Sequence, residues 1–208
     1  MVEKILSFER SGSLSGVSIL VADNSDAAGD FEAHAEEIAG SLLASRPVRK
    51  IYLGRLGSAA KSEIVAALNE GASHLSYVGH GGIHLWAQEN VFNTGDVAAL
   101  QGQAQRPLVL TLNCLNGYFH FPYFDSLSEE LLKAEGKGAI AAFSPSGLSL
   151  DEPAHLFHKA VLSEVLSGRH QRLGDAVLEA QESYARSGAF PELLRIYHLF
   201  GDPALTIR

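Results

Sequence analysis

Short apolar runs rich in β-branched residues alternate along this chain with amphipathic helical patterns, and this alternation restricts the possible folds more than any other feature. Five runs are typical of buried strands: VSILVA (17–22), VRKIYL (48–53), HLSYV (74–78), PLVLTLN (107–113) and GAIAAFS (138–144). Helical patterns lie between and after them. This order predicts an α/β fold, a three-layer α/β/α sandwich whose sheet is mostly parallel and covered by helices on both faces.

The predicted helices carry end signals of their own. Gly71 closes the pattern over 58–71, because a glycine readily adopts the conformations that end a helix. Ser126 and Glu129 have the spacing of a capping box. Further segments follow: helices over about 153–167 and over 173–186, then a strand, a turn and a short final strand in RIYHLFGDPALTIR.

Composition narrows the class of protein. The 208 residues are 46% hydrophobic and 19% charged, which predicts one globular domain over 1–208. A net charge of −8 without a basic stripe argues against nucleic acid as a partner. No apolar run approaches the roughly 20 residues of a membrane span, and MVEKILSFERSGS lacks the apolar region of a signal peptide. A single cysteine excludes an internal disulfide framework.

Two predicted strands end in residues that can carry chemistry. HLSYV runs into GHGG, where glycines flank His80, and PLVLTLN runs into Cys114. Ligands of parallel sheets bind beyond the carboxyl ends of the strands. A thiol and an imidazole at two such ends form a nucleophile with its acid–base partner. The simpler alternatives are a buried space-filling cysteine and an incidental histidine in a tight turn.

The sequence after Cys114 favours a reactive thiol. Asn116 and Gly117 tolerate positive φ, so we expect the backbone to bend sharply there and to present the sulfur at the edge of the sheet. His80 and His84 have the spacing of metal ligands on a helix, but the two glycines between them argue against a helix. We therefore predict no metal site.

Four motifs, in the same order, resemble the catalytic domain of gingipain-type cysteine peptidases, which have a caspase-like fold: YVGHGG…W (77–86), NCLNGYF (113–119), GAIAAFSPSG (138–147) and LFGDPAL (199–205). The resemblance implies that Cys114 is the nucleophile and His80 the catalytic histidine. It also implies an oxyanion hole formed by the backbone N–H groups of Gly81 and Cys114.

The resemblance further implies a pocket for a basic P1 side chain, with an aspartate soon after the first strand. Asp30 in AGDFE is the best match, and Asp23 and Asp26 are its rivals. The alternative role for Asp30 is to cap the helix that begins at Phe31. Three residues next to the reactive pair are also expected to contact substrate: Val78, Leu112 and Asn113.

Two features of the family have no counterpart here. Its glutamate upstream of VADN falls in SGVSIL, which has no acid, so we expect His80 to lack a carboxylate partner and to form a dyad with Cys114. Its pocket-wall tryptophan is replaced by the segment SGLSLDEPA. P1 specificity is therefore not carried over from the family.

The function implied by the resemblance is a cysteine endopeptidase that cleaves a protein or peptide substrate through a thioester. We expect no cofactor, with calcium the one ion that the resemblance leaves open. VEKILSFE resembles the helix leading out of an upstream α/β subdomain, so we expect a longer native chain, secreted or at the cell surface. Two alternatives remain open: a sortase-like transpeptidase acting on secreted proteins, and a catalytically quiet domain that binds a peptide or partner along an aromatic cleft over 118–124.

Overall fold

A computed structural model describes residues 1–11 and 14–207 and contains a six-stranded central sheet. Its order is β2-β1-β3-β6-β7-β8, and a separate two-stranded antiparallel sheet pairs β4 with β5. The strands of the described residues are β1 (Ser18–Ala22), β2 (Val48–Tyr52), β3 (His74–Val78), β4 (Leu85–Trp86), β5 (Phe92–Asn93), β6 (Leu108–Leu112), β7 (Ala141–Pro145) and β8 (Tyr197–Phe200).

Helices cover both faces of the large sheet. Within the described ranges they are α1 (Val2–Ser11), α2 (Phe31–Ser41), α3 (Leu53–Leu56), α4 (Ala59–Glu70), α5 (Thr94–Ala99), α6 (Leu127–Lys133), α7 (Asp151–Leu166), α8 (Leu173–Ser187) and α9 (Leu193–Ile196). None of the helices in this part of the chain is both long and apolar enough to cross a membrane.

The sheet alternates its side chains between two cores. Leu20 and Ala22 of β1 face the core built with α2, α7 and α8, whereas Ile19 and Val21 face the core built with α4 and α6. This alternation is the two-residue period of a strand that is buried on both faces. The predicted three-layer α/β/α sandwich is confirmed, and five of the six strands run parallel.

Several boundaries differ from the sequence prediction, and three of them have a clear structural description. The second strand ends at Tyr52, because Leu53 begins the short helix α3. The predicted final strand is reduced to one isolated bridge between Arg172 and Thr206. Helix α7 begins at Asp151 rather than near 153, with Pro153 inside its first turn, where a proline is tolerated and acidic residues favour the helix dipole.

The register of the central strands aligns their carboxyl ends. Ala22 pairs with Val78, and Val78 pairs with Leu112. The chain therefore leaves β1, β3 and β6 at the same level of the sheet. As a result the loops over 23–30 and 79–84, and the turn over 113–117, meet at one edge.

Candidate active site

Cys114 and His80 line one narrow cavity of about 60 Å³ at this edge of the sheet. Phe31, Ser149 and Asp151 line it as well. The thiol is partly exposed. The structure thus brings together the two residues that the sequence singled out at separate strand ends.

The chain turns at Leu115 immediately after the thiol. Leu115 has φ 63°, and its N–H donates to Gly147 O at 3.1 Å. The prediction that Asn116 and Gly117 would carry the positive φ is therefore wrong. Gly117 is required instead for close packing, because a Cβ there would lie 2.7 Å from the ring of Phe200.

Ser149 contacts the sulfur of Cys114. Its N–H donates to Sγ at 3.4 Å, and its hydroxyl donates to Asn113 O at 2.6 Å, which fixes the serine in place. A backbone N–H directed at sulfur stabilises the thiolate relative to the thiol. No sequence motif indicates this contact, which depends on the loop after β7.

The backbone of His80 is anchored by Asp23. The carboxylate of Asp23 accepts from the N–H groups of His80 at 3.0 Å and Asn24 at 2.8 Å. Asp23 is almost fully buried, and burial raises its pKa, although the two N–H donors oppose that rise. Its carboxylate therefore supports the histidine loop, and the rival assignment of Asp23 to a P1 pocket has no support.

The ring of His80 has a carboxylate partner after all. Oδ2 of Asp26 lies 2.9 Å from Nε2 of His80, and the ring packs edge-on against Phe31 at 5.2 Å. Two contacts lower the pKa of Asp26: the hydrogen bond from the N–H of Ala28 has the larger effect, and the contact with His80 has the next largest. The expectation that His80 lacks such a partner is therefore wrong, because the carboxylate comes from the loop after β1 and not from the strand itself.

Asp30 caps α2. Its Oδ1 accepts from the N–H of Ala33 at 3.1 Å and from the hydroxyl of Ser25 at 2.7 Å. Asp30 is exposed and does not line the cavity that holds Cys114. The structure thus shows the capping role and offers no contact that supports the P1 role.

Asp151 is the one carboxylate among the described residues that lines the cavity. Its Oδ2 lies 2.8 Å from Nε2 of His34, whereas its Oδ1 is buried without a hydrogen-bond partner in the described ranges. The sequence analysis missed this residue. The only sequence feature that points to Asp151 is the acidic residue in LSLDEPA, the segment that stands where the resemblance leads one to expect a tryptophan.

The sequence predicts an oxyanion hole formed by the backbone N–H groups of Gly81 and Cys114. Within the part of the chain that the structure describes, neither Gly81 nor Cys114 donates its backbone N–H to a protein acceptor. Gly81 packs so closely that a Cβ would lie 2.2 Å from Nδ2 of Asn113 and 2.8 Å from Cys114 O. The glycine therefore lets the histidine loop approach the cysteine turn.

The three further substrate contacts predicted from the sequence lie in different places. Leu112 and Asn113 line the cavity, although both are largely buried. Val78 is fully buried in the core between β3 and the helices. The prediction that Val78 contacts substrate is therefore wrong, because its side chain does not line the cavity of Cys114.

Asn116 joins the two loops of the site. It is fully buried and accepts from Nε1 of Trp86 at 2.6 Å and from Nδ2 of Asn113 at 2.5 Å. Its own amide donates to Gly82 O at 2.5 Å and to Leu85 O at 3.2 Å. This residue, which the sequence presented as a turn former, thus fixes the position of the histidine loop relative to the cysteine turn.

A second cavity of about 390 Å³ adjoins His80. It is lined by the glycine loop together with His84 and Phe124, whose rings meet at 4.3 Å. Of the residues in the predicted aromatic cleft over 118–124, Phe124 lines this cavity, whereas Tyr123 does not line it and is 84% exposed. Among the residues that the structure describes, His80 is the one that lines both this cavity and the cavity of Cys114.

Comparisons with known proteins show a family and several relatives of this chain. The family model described as Peptidase family C25 matches residues 1–208. Gingipain R2 of Porphyromonas gingivalis is 25% identical over 199 residues, which cover 90% of this chain and 26% of that protein. Gingipain R1 of the same species is also 25% identical over 199 residues, which cover 19% of its length.

Solved structures show the same fold. The crystal structure of the Arg-specific cysteine proteinase gingipain R has a TM-score of 0.80 at 22% identity and covers 94% of this chain and 48% of its own. A complex of the pro- and mature domains of RgpB from Porphyromonas gingivalis has a TM-score of 0.82 at 22% identity, covering 100% of this chain and 53% of its own. The chain thus spans about half of these structures and about a quarter or less of the curated relatives.

Proposed function

The chain belongs to peptidase family C25, and from this premise we propose that it is a cysteine endopeptidase with Cys114 as nucleophile and His80 as general acid and base. The observation that carries the proposal is that both side chains line one cavity. The N–H of Ser149 on the sulfur and the carboxylate of Asp26 on the imidazole are the supports that such a pair needs.

The chemistry follows from these contacts. The Cys114 thiolate attacks the carbonyl carbon of the scissile bond, and the N–H groups of Gly81 and Cys114 hold the resulting oxyanion, each donor contributing roughly 3–4 kcal/mol of transition-state stabilisation. The C–N bond then breaks as protonated His80 gives its proton to the leaving amine. Water, deprotonated by His80, attacks the thioester, and the C–S bond breaks to restore the thiolate.

Asp26 decides which ring nitrogen moves the proton. Because its carboxylate holds Nε2 of His80, Nδ1 is the nitrogen left to exchange protons with the substrate. A carboxylate in this place also stabilises the imidazolium that exists before the leaving group departs. The pair therefore forms a triad with Cys114 in place of the expected dyad.

We also propose that the peptidase prefers a basic residue at P1, which depends on the peptidase activity proposed above. Asp151 lines the cavity and has a buried Oδ1 without a partner among the described residues. A buried carboxylate oxygen gains from a cation, so an Arg or Lys side chain at P1 would supply the missing partner. We therefore assign P1 recognition to Asp151 in preference to Asp30.

Further parts of the proposal rest on the resemblance. The substrate is a protein or peptide, the native chain has an upstream α/β subdomain, and the protein is secreted or at the cell surface. The complex of the pro- and mature domains of RgpB supports an associated domain. Calcium stays an open expectation of the family.

Mass spectrometry of products from a P1-varied peptide library tests the proposal. Hydrolysis after Arg or Lys that is lost in Cys114→Ala is the expected result. Addition of an amine nucleophile separates the two acyl-transfer functions, since a transpeptidase would join the amine to the new carboxyl end. Absence of any product from the unmodified chain, with or without the amine, would contradict the proposed activity.

A further inference from the structure

The hydroxyl of Tyr77 holds the loop that carries His80. Tyr77 lies in β3, three residues before His80, and its side chain is fully buried. Its hydroxyl donates to His80 O at 2.6 Å, and the N–H of Ala87 donates to the same oxygen at 2.9 Å. The carbonyl of His80 therefore has two donors, one from a side chain of the core and one from the backbone.

Both backbone groups of His80 are bonded to buried side chains. Asp23 accepts from its N–H at 3.0 Å, and Tyr77 donates to its carbonyl. Gly79 leaves no room for a side chain between these two residues, because a Cβ there would lie 2.3 Å from Cβ of Asp23 and 2.8 Å from the Tyr77 hydroxyl. Asp23 and Tyr77 thus hold the peptide groups on the two sides of His80, and we call this pair the His80 clamp.

The ring of Tyr77 connects the clamp to the cysteine turn. It stacks on Trp86, with the ring centroids 4.6 Å apart and an angle of 6° between the planes. Nε1 of Trp86 donates to Oδ1 of Asn116 at 2.6 Å, and Asn116 lies two residues after Cys114. A continuous series of contacts therefore runs from the cysteine turn through Trp86 and Tyr77 to the carbonyl of His80.

The Tyr77 hydroxyl remains a donor over the pH range of an activity assay. Burial, followed by the charge of Asp23, raises the pKa of Tyr77 well above its usual range, and only the protonated hydroxyl can donate. The ring of His80 needs such support, because it is 35% exposed and its partner Asp26 is 40% exposed, so water screens their contact. The orientation of the ring therefore depends on how firmly its backbone is held.

We propose that Tyr77, together with Asp23, is a positioning residue of the peptidase, which keeps the imidazole of His80 in place beside Cys114. The inference rests on the proposed function, in which His80 moves the proton. Neither Tyr77 nor Asp23 lines the two cavities next to His80, so neither contacts a bound substrate there. Their effect is confined to the steps in which His80 gives or takes a proton.

The variant Tyr77→Phe removes the hydroxyl and keeps the ring that stacks on Trp86. We expect kcat for peptide hydrolysis to fall by about tenfold, less than the roughly 100-fold cost of a 1 Å displacement, because the N–H of Ala87 still holds the His80 carbonyl. We expect KM to stay within about twofold, since the lost contact acts on the reaction and not on substrate binding.

The matched control is Tyr184→Phe. The hydroxyl of Tyr184 also donates to a backbone carbonyl, Phe190 O at 3.1 Å, and its buried ring lies in α8, outside the cavity of Cys114. A loss of stability alone would therefore affect both variants. Exchange of the His80 amide hydrogen, followed by NMR, is a readout independent of activity, and we expect it to be faster in Tyr77→Phe only.

The outcomes separate this inference from the proposed function. If the unmodified chain cleaves peptides, then full kcat in Tyr77→Phe, an equal loss in Tyr184→Phe, a change confined to KM or unchanged exchange at His80 would overturn the inference alone. Absence of cleavage by the unmodified chain would overturn both. Melting temperatures show whether each variant folds. If Tyr77→Phe does not fold, Asp23→Asn decides, because it weakens the other half of the His80 clamp, and full kcat in that variant would overturn the inference.

Discussion

Oδ2 of Asp26 lies 2.9 Å from Nε2 of His80, so a loop carboxylate supports the candidate catalytic ring. The strand position where the family carries its glutamate has no acid in this chain. The loop over 23–30 supplies the missing charge from a different direction. Both side chains remain partly exposed, at 35% for His80 and 40% for Asp26, which limits the strength of the pair.

Asp26→Asn is expected to reduce kcat/KM by about 10- to 100-fold. This loss is smaller than the ~10⁴-fold effect of a buried triad aspartate, because water already screens the contact. Asp30→Asn is the control, since Asp30 caps α2 and Asn is an equally good cap. The two variants are compared by steady-state kinetics, and equal losses of activity would argue against a triad.

Gly81→Ala is expected to lower kcat by about 100-fold, because displacement of reacting groups by about 1 Å costs that much. Its Cβ would lie 2.2 Å from Nδ2 of Asn113 and would separate the histidine loop from the cysteine turn. Gly82→Ala is the matched control, since its Cβ meets only the side chain of Leu85, at 3.8 Å. Kinetics that show equal activity in the two variants would contradict the close approach.

Asp151→Asn is expected to lower kcat/KM for Arg and Lys at P1 by at least tenfold while changing cleavage after neutral residues much less. The reason is that the buried carboxylate loses its charge. Glu152→Gln is the control, because its side chain is 82% exposed and does not line the cavity. If Asp30→Asn instead removes the basic preference, the P1 assignment returns to Asp30.

The stability of the chain is expected to fall with acid because of two buried histidines. His74 and His158 are joined through the hydroxyl of Ser76, and burial lowers the pKa of each to about 3. In the unfolded chain these histidines bind protons below about pH 6.5, whereas in the folded chain they stay neutral. Above that pH, therefore, their protonation does not reduce the free energy of unfolding. It decreases below it by up to about 1.4 kcal/mol per pH unit for each histidine, until about pH 3.

Urea unfolding at pH 7.5 and pH 5.5 measures this loss. The folded His158→Gln variant is expected to show a smaller difference between the two pH values. An unfolding midpoint that does not change between them would show that the two histidines are not held neutral.

The sequence predicted the architecture well, because strand and helix patterns are local signals. The strands ending before His80 and Cys114 were found from apolar runs, and the gingipain resemblance is confirmed by the family match. The alignment of Val78 with Leu112 explains why two distant motifs meet. Which residues carry catalysis stays a prediction.

The supporting residues could not be predicted, because their contacts depend on how separate loops pack. Asn116 lies in a typical turn sequence, yet it is buried and bonded to Trp86 and to carbonyls of the histidine loop. Asp26 reaches the site from the loop over 23–30, and Asp151 reaches it from the first residue of α7, after the loop over 146–150. No short motif specifies the paths of these loops. Long-range hydrogen bonds of this kind leave no periodic pattern in the sequence.

The central claim is that Cys114 and His80 form a working peptidase centre. The most direct measurement is the rate of hydrolysis of a peptide with Arg at P1 by the unmodified chain, Cys114→Ala and His80→Ala, with melting temperatures recorded for all three. The account predicts no turnover with Cys114→Ala and a loss of about 10²–10⁴-fold with His80→Ala, both folded. Cleavage by Cys114→Ala at the rate of the unmodified chain would contradict it.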